Sequence, residues 1–245
     1  GLGGLMSITG KPGEGPMRVG IPIADLTAGI FCAQGILLAV IERERTGKGQ
    51  WVQTSLLQAQ VFMLDFQATR WLMDKEVPPQ AGNDHPTSIP TGVFKTSDGY
   101  INIAVAGQKM WEKFISLFDD PAFRSPDYAD GKGRSKNRKA LNALIEKHTA
   151  KNTSAYWIET LNKNGCPSGE INSIDQVFAL EQVRALGLAQ PMVSQERGAT
   201  EVVGQPILMS RSKASVKRPP PKLGQHTEEV LKEIGYSAAD IERLK

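Results

Sequence analysis

The chain has 245 residues, of which 40% are hydrophobic and 22% charged, with a net charge of +3. This is the make-up of a globular protein with an apolar core, and its field is too weak to argue for a polyanionic partner such as nucleic acid. Cys32 and Cys166 stand far apart without metal-ligand spacing, which reads as two reduced thiols in a cytoplasmic protein. No run reaches the ~18 apolar residues of a membrane span; the longest, residues 30–41, is interrupted by Gln34 and ends in Glu42-Arg43-Glu44-Arg45.

The chain begins "GLGGLMSITGKPGEGP", with neither an initiator Met nor a signal-peptide pattern, and reads as the middle of a longer protein. "GLGGLMSITG" reads as a tight loop; GxGxxG spacing is not met and no strand precedes it. Residues 16–24 form an extended run with Pro22 inside it, suited to a strand end or edge. Asp25 follows, and residues 26–46 read as a helix. Its apolar residues nearly surround the axis, which predicts burial; Gly47 supplies a left-handed C-cap. Residues 51–54 begin as a strand, and a second apolar helix runs to about residue 73. The stretch "DKEVPPQAGNDHPTSIPTG" is a boundary, since four prolines forbid a regular element. "VFKTSDGYINIAVAG" reads as a hairpin turning at Asp98-Gly99. Helices are expected over residues 108–118, near 136–148 and over 154–163, the last capped by Ser154. A short strand at 170–172, a helix capped near Ser173 and a pair of strands within "PMVSQERGATEVVGQPILMS" come next. A basic, proline-rich connector leads to helices at about 227–234 and from 237 onward.

Asp25 is the first candidate for chemistry. An Asp just before a helix is a common N-cap, and the positive end of the helix favours its ionised form. An ionised carboxylate facing a cleft is also a nucleophile toward an activated acyl group. The three histidines, His85, His148 and His226, show no metal-binding pattern; His148 suits the dipole at a helix C-terminus, and His85, beside Asp84 in the proline-rich loop, reads as turn-fixing or functional. No GxSxG elbow or phosphate loop is present. Arg211, Lys213, Lys217, Arg218 and Lys222 read as a solvated connector, and no aromatic residue interleaves them to stack bases.

Read together, "GGLMSITG", "GIPIADLTAGIFCAQGILLAVIERERTGKGQWVQTSLLQA", "GNDHPTSIPTGVFKTSDGYINIAVAGQKMWEKF", "NGCPSGEINSIDQVFALEQVRALG" and "PKLGQHTEEVLKEIGYSAADIERL" resemble, in order and across essentially the whole chain, the class III coenzyme A transferases of the CaiB/BaiF family. The resemblance implies an α/β fold in which two chains interlock: an incomplete Rossmann-like large domain (residues 1–75), a linker (76–82), a smaller α+β domain (83–182) and a C-terminal return to the large domain (183–245). It places the family's catalytic aspartate on Asp25. It implies attack of that carboxylate on an acyl-CoA thioester, an acyl–aspartyl anhydride, then an aspartyl–CoA thioester from which the acceptor acid takes the CoA. Leu56, Asn83 and His85 are the substrate- and CoA-binding candidates. No metal or resident cofactor is implied; the CoA thioester is substrate, a carboxylic acid is acceptor, a homodimer is expected, and neither membrane nor nucleic acid is a partner.

Two departures bear on this. The family's N-terminal part, which supplies most CoA contacts and the first strands, has no counterpart in the sequence, so a companion segment or chain is expected. The glycine-rich loop of the formyl-CoA:oxalate transferases is also missing, which favours another acid pair such as a dicarboxylate. The alternatives are an α-methylacyl-CoA racemase of the same fold, whose "GDFGGG"-type run is unlike "IADLTAG", and a catalytically incomplete fragment that acts as a structural or partner-binding piece.

Overall fold

In the computed structural model, which describes residues 1–194, 196–212 and 215–244, helices alternate with two small antiparallel sheets. The chain divides into two units, Gly1–Ile171 and Asn172–Lys245.

The first unit opens with a single turn of helix, α1 (Leu5–Ile8), followed by α2 (Ile23–Thr46), α3 (Leu56–Phe62) and α4 (Phe66–Asp74). Residues 16–22 and 51–55 belong to no strand, contrary to the sequence reading. Among the described residues no strand lies beside either segment to complete a ladder of hydrogen bonds, and an extended segment becomes sheet only by pairing. α2 therefore starts three residues before the expected position, with Pro22 at its N-cap and Asp25 already inside its first turn. Its end is as expected: Gly47 has φ 70°, and its N–H donates to the Arg43 carbonyl at 2.8 Å. The predicted second helix is two. Ser55 caps α3 by accepting from the Gln58 N–H, and Asp65, with φ 50°, breaks the helix before α4. α2 and α3 pack together, with the edge-on pair Phe31–Phe62 at 5.1 Å between them, and each buries an alanine, Ala28 and Ala59.

The burial expected of α2 is not found within this chain. Ile30, Leu37, Leu38 and Ile41 are each more than half exposed, and an 18-residue window of the helix has mean hydropathy 1.8. By length and composition α2 is apolar enough to cross a membrane. The count of consecutive apolar residues overlooked this, because Gln34 and the glycines interrupt the run without making the window polar.

Residues 83–171 carry most of the core. β1 (Thr91–Lys95) and β2 (Tyr100–Ala104) form the expected hairpin, and β3 (Ser168–Glu170) pairs with β2 on its other side. Alternation sends Phe94, Ile101 and Ile103 to one face. There they meet Trp111 and Phe114 of α5 (Gln108–Ile115), Leu141 and Ile145 of α7 (Arg138–Thr149), and Trp157 and Leu161 of α8 (Ser154–Lys163). A further turn of helix, α6 (Gly131–Lys136), carries the buried Arg134. Arg134 donates to the carbonyls of Ile89 and Tyr128 and to Gln108, and lies 4.9 Å over the Trp111 ring. The cap of α8 is Thr153, one residue earlier than expected, and Ser154 instead donates its N–H and hydroxyl to Asp98 in the hairpin turn.

The second unit begins with α9 (Ile174–Ala179), held by a capping box from Ser173 and Gln176, and α10 (Glu181–Ala185). The predicted strand pair follows as β4 (Ala189–Ser194) and β5 (Gly198–Val203), in register from Ala189↔Val203 to Ser194↔Gly198. α11 (Thr227–Glu233) and α12 (Ala238–Leu244) close the chain.

Candidate active site

The site is located by its chemistry, not by the size of its cavity. A cleft of about 870 Å³ in the second unit is lined by β4, β5 and residues 219–223, but its acid Glu196 is paired with Lys222 at 3.0 Å. Of the basic connector, Arg218 is likewise paired, with Glu229 at 3.0 Å; Arg211 and Lys217 are exposed, and Lys213 lies outside the described residues. Among the described residues no three His, Cys, Asp or Glu side chains gather as a metal site.

Asp25 lines a cavity of about 150 Å³ formed by the N-terminal loop and α1, the run 18–24 and Gln60 of α3. It is the third residue of a helix of 24. Its side chain is exposed at the N-terminal turn of α2. Asp25 is the one acid in the lining, and Arg18 the one basic side chain. The walls are otherwise mostly apolar, with Leu5, Met6, Ile21 and Ile23 among them.

Two features fix the loop around this cavity. Gly4, at φ 83°, turns the chain into α1, a conformation an L side chain resists. Gly3 is buried against Gln60: a Cβ placed on it would overlap the Gln60 Oε1 and lie 2.6 Å from its Cγ. The glycine-rich start is therefore a close-approach loop over α3. Sequence reasoning singled out Asp25 but not Gly3, Arg18 or Gln60. The only signal for them was the pair of glycines, whose partner lies 57 residues away in the chain.

The other candidates stand elsewhere. Leu56 is the first residue of α3, half exposed and outside the cavity lining. Asn83 is exposed, with its carbonyl against Gly92. His85 is half-buried, and its Nδ1 accepts from the N–H groups of Thr87 and Ser88 at 3.2 and 3.0 Å. This pattern places the proton of the neutral ring on Nε2. The ring stacks on Phe66 at 5.9 Å, so His85 ties the proline-rich loop to α4. Asp84 beside it accepts from Asn142 at 3.0 Å and lies 4.0 Å from Arg138. His148 sits at the end of α7 and bonds Asp120 through Nε2 at 2.8 Å. Hydrogen bonds from the Ala122 N–H and then His148 hold the Asp120 carboxyl below the usual carboxylate range.

A family model described as CoA-transferase family III matches residues 1–227. The chain is 33% identical to the succinate–glutarate CoA-transferase of Agrobacterium fabrum, over 96% of this chain and 59% of that protein. It is 32% identical to human succinyl-CoA:glutarate CoA-transferase, over 95% and 53%, and 31% identical to succinyl-CoA:mesaconate CoA-transferase of Haloarcula hispanica, over 96% and 59%. Among solved structures, a CaiB/BaiF family protein from Brucella suis superposes with a TM-score of 0.77 at 31% identity, over 95% of this chain and 61% of that one. The chain thus spans little more than half the length of the curated relatives it matches. With sequence match and superposition both running over nearly all of its residues, the chain belongs to family III of the CoA-transferases and has the α/β fold of the CaiB/BaiF proteins.

Proposed function

We propose that the protein containing this chain moves coenzyme A from an acyl-CoA to a carboxylic acid, with Asp25 as nucleophile. The supporting observation is a lone carboxylate at the N-terminal turn of α2, facing a mostly apolar cavity with a single basic side chain. The Asp25 carboxylate attacks the thioester carbonyl, the C–S bond breaks, and an acyl–aspartyl anhydride and CoA thiolate result. The thiolate attacks the aspartyl carbonyl and releases the first acid, leaving an aspartyl–CoA thioester. The acceptor carboxylate attacks that thioester, and the returning thiolate takes the new acyl group and frees Asp25. Every step exchanges a carboxylate and a thiolate at an acyl carbon, so no oxidation state changes and no oxidant or reductant is needed. The CoA thioester enters as substrate.

The same reading takes residues 1–75 and 183–245 as parts of a large domain, 76–82 as a linker and 83–182 as a small domain. Leu56, Asn83 and His85 belong to the rim that CoA or substrate touches. The exposed apolar surface of α2 supports cover by further protein: the portion by which the relatives exceed this chain, or a second, interlocked copy. Two free cysteines accord with a cytoplasmic setting.

The test is peptide mass mapping after incubation with succinyl-CoA and hydroxylamine, on the longest natural form containing this chain. A hydroxamate on Asp25, absent in Asp25→Asn, is expected. No label on Asp25 with any of several acyl-CoAs would sink the transferase reading, and solvent deuterium entering the acyl α-carbon without CoA exchange would replace it with a racemase.

A further inference from the structure

Arg18 is the basic side chain of the Asp25 cavity. Its Nε donates to the Val19 carbonyl at 3.3 Å, and no carboxylate of the described residues lies within ion-pair distance of it. Both terminal amino groups are left without a protein partner. A guanidinium carries five donors in a planar fork that matches a carboxylate. An unpaired one beside the reacting carboxylate is suited to hold a second negative group.

On the reading that Asp25 is the nucleophile, we infer that Arg18 holds the distal carboxylate of a dicarboxylate acyl group while the proximal carbonyl meets Asp25. Arg18 and Asp25 are both exposed at the same open pocket of about 150 Å³, room enough for a chain of four or five carbons lying between them. Leu5, Met6, Ile21 and Ile23 line the same cavity and would meet its methylenes. Arg18 and Asp25 thus divide the work: the aspartate recognises the activated carbonyl that every acyl-CoA presents, and the arginine recognises the charge that distinguishes succinyl or glutaryl from butyryl. It is a specificity residue, and no bond is made or broken at it.

The donor half-reaction isolates this role. CoA release in hydroxylamine is measured on the longest natural form, with succinyl-CoA and with butyryl-CoA, for the unaltered protein, Arg18→Met and Arg18→Lys. A charge-assisted contact predicts a fall of roughly 10- to 100-fold in kcat/KM for succinyl-CoA in Arg18→Met, with butyryl-CoA within twofold and Arg18→Lys between. Inhibition of the release by free glutarate against free valerate gives a second measure: glutarate's advantage should vanish in Arg18→Met. Equal losses with both donors, or none, overturn the assignment of Arg18. No CoA release from any donor by the unaltered protein overturns the transferase reading itself, before any substitution is made.

Discussion

Replacing Gly3 by Ala tests how the site is assembled. Gly3 is buried and its backbone is not left-handed, so the added methyl meets a steric obstacle and no backbone strain. That obstacle is Gln60, whose Cγ and Cβ would lie 2.6 and 2.8 Å from the new carbon. Cγ can turn away about χ1 but Cβ is fixed to the backbone, so the loop or α3 must shift. Forcing a methyl into a packed site costs about 1–3 kcal/mol. At about 2–4 °C per kcal/mol for a protein of this size, Tm falls by about 2–12 °C. Gln60→Ala removes Oε1 and Cγ and should rescue much of the loss, giving a coupling of about 0.5–3 kcal/mol in a double-mutant cycle. Gly4→Ala is the control: its methyl would meet only Leu64, at an ordinary 3.5 Å, but its φ of 83° penalises any L residue, by about 1–2 kcal/mol. Gln60→Ala should leave that cost unchanged. Thermal unfolding of the five variants decides the matter. An unchanged Tm in Gly3→Ala, or costs of Gly3→Ala and Gln60→Ala that simply add, would refute the close-approach account of the loop.

Arg134→Met removes a buried guanidinium and leaves the Ile89 and Tyr128 carbonyls without the donor they have now; each buried group left unpaired costs about 1–3 kcal/mol, which a urea titration would show as a lower midpoint. Acid should weaken the sheet's anchorage. The Asp98 carboxyl is held below its usual range, chiefly by the Ser154 N–H, and that of Asp120 chiefly by the Ala122 N–H. A depressed folded pKa means stabilisation that is complete above the unfolded value of about 3.9 and lost as pH falls through the folded one. Denaturation midpoints measured from neutral pH downward should therefore fall below about pH 4. The Asp98→Asn and Asp120→Asn variants should start lower and show a flatter acid limb; a limb as steep as the parent's in both would contradict the assignment.

Local chemistry explains which elements were legible in advance. The β1–β2 hairpin follows from alternation around Asp98-Gly99, and the end of α2 from Gly47, because a turn residue and a period of two or 3.6 act within a few positions. Ser173 announces α9 in the same way. The start of α2 was misplaced because β-branched Ile21 and Ile23 flank Pro22 and read as extended, whereas Pro22 takes the N-cap and the helix begins at Ile23. The break at Asp65 left no mark, since the run across it holds neither Gly nor Pro. The capping of α8 went to Thr153 because Asp98, 56 residues away, draws on the Ser154 N–H and hydroxyl.

By itself the sequence determined the hairpin, most of the helices, the family and the aspartate to examine, since these rest on residue type and near-neighbour spacing. Tertiary structure decided what surrounds that aspartate. It brought the N-terminal glycines against Gln60, left the Arg18 terminal amino groups unpaired in the cavity that Asp25 lines, and turned His85 inward onto Phe66. These placements bring together residues from 7 to 57 positions apart in the chain. They arise from packing between elements, and no local periodicity or composition records which side chains packing will bring together.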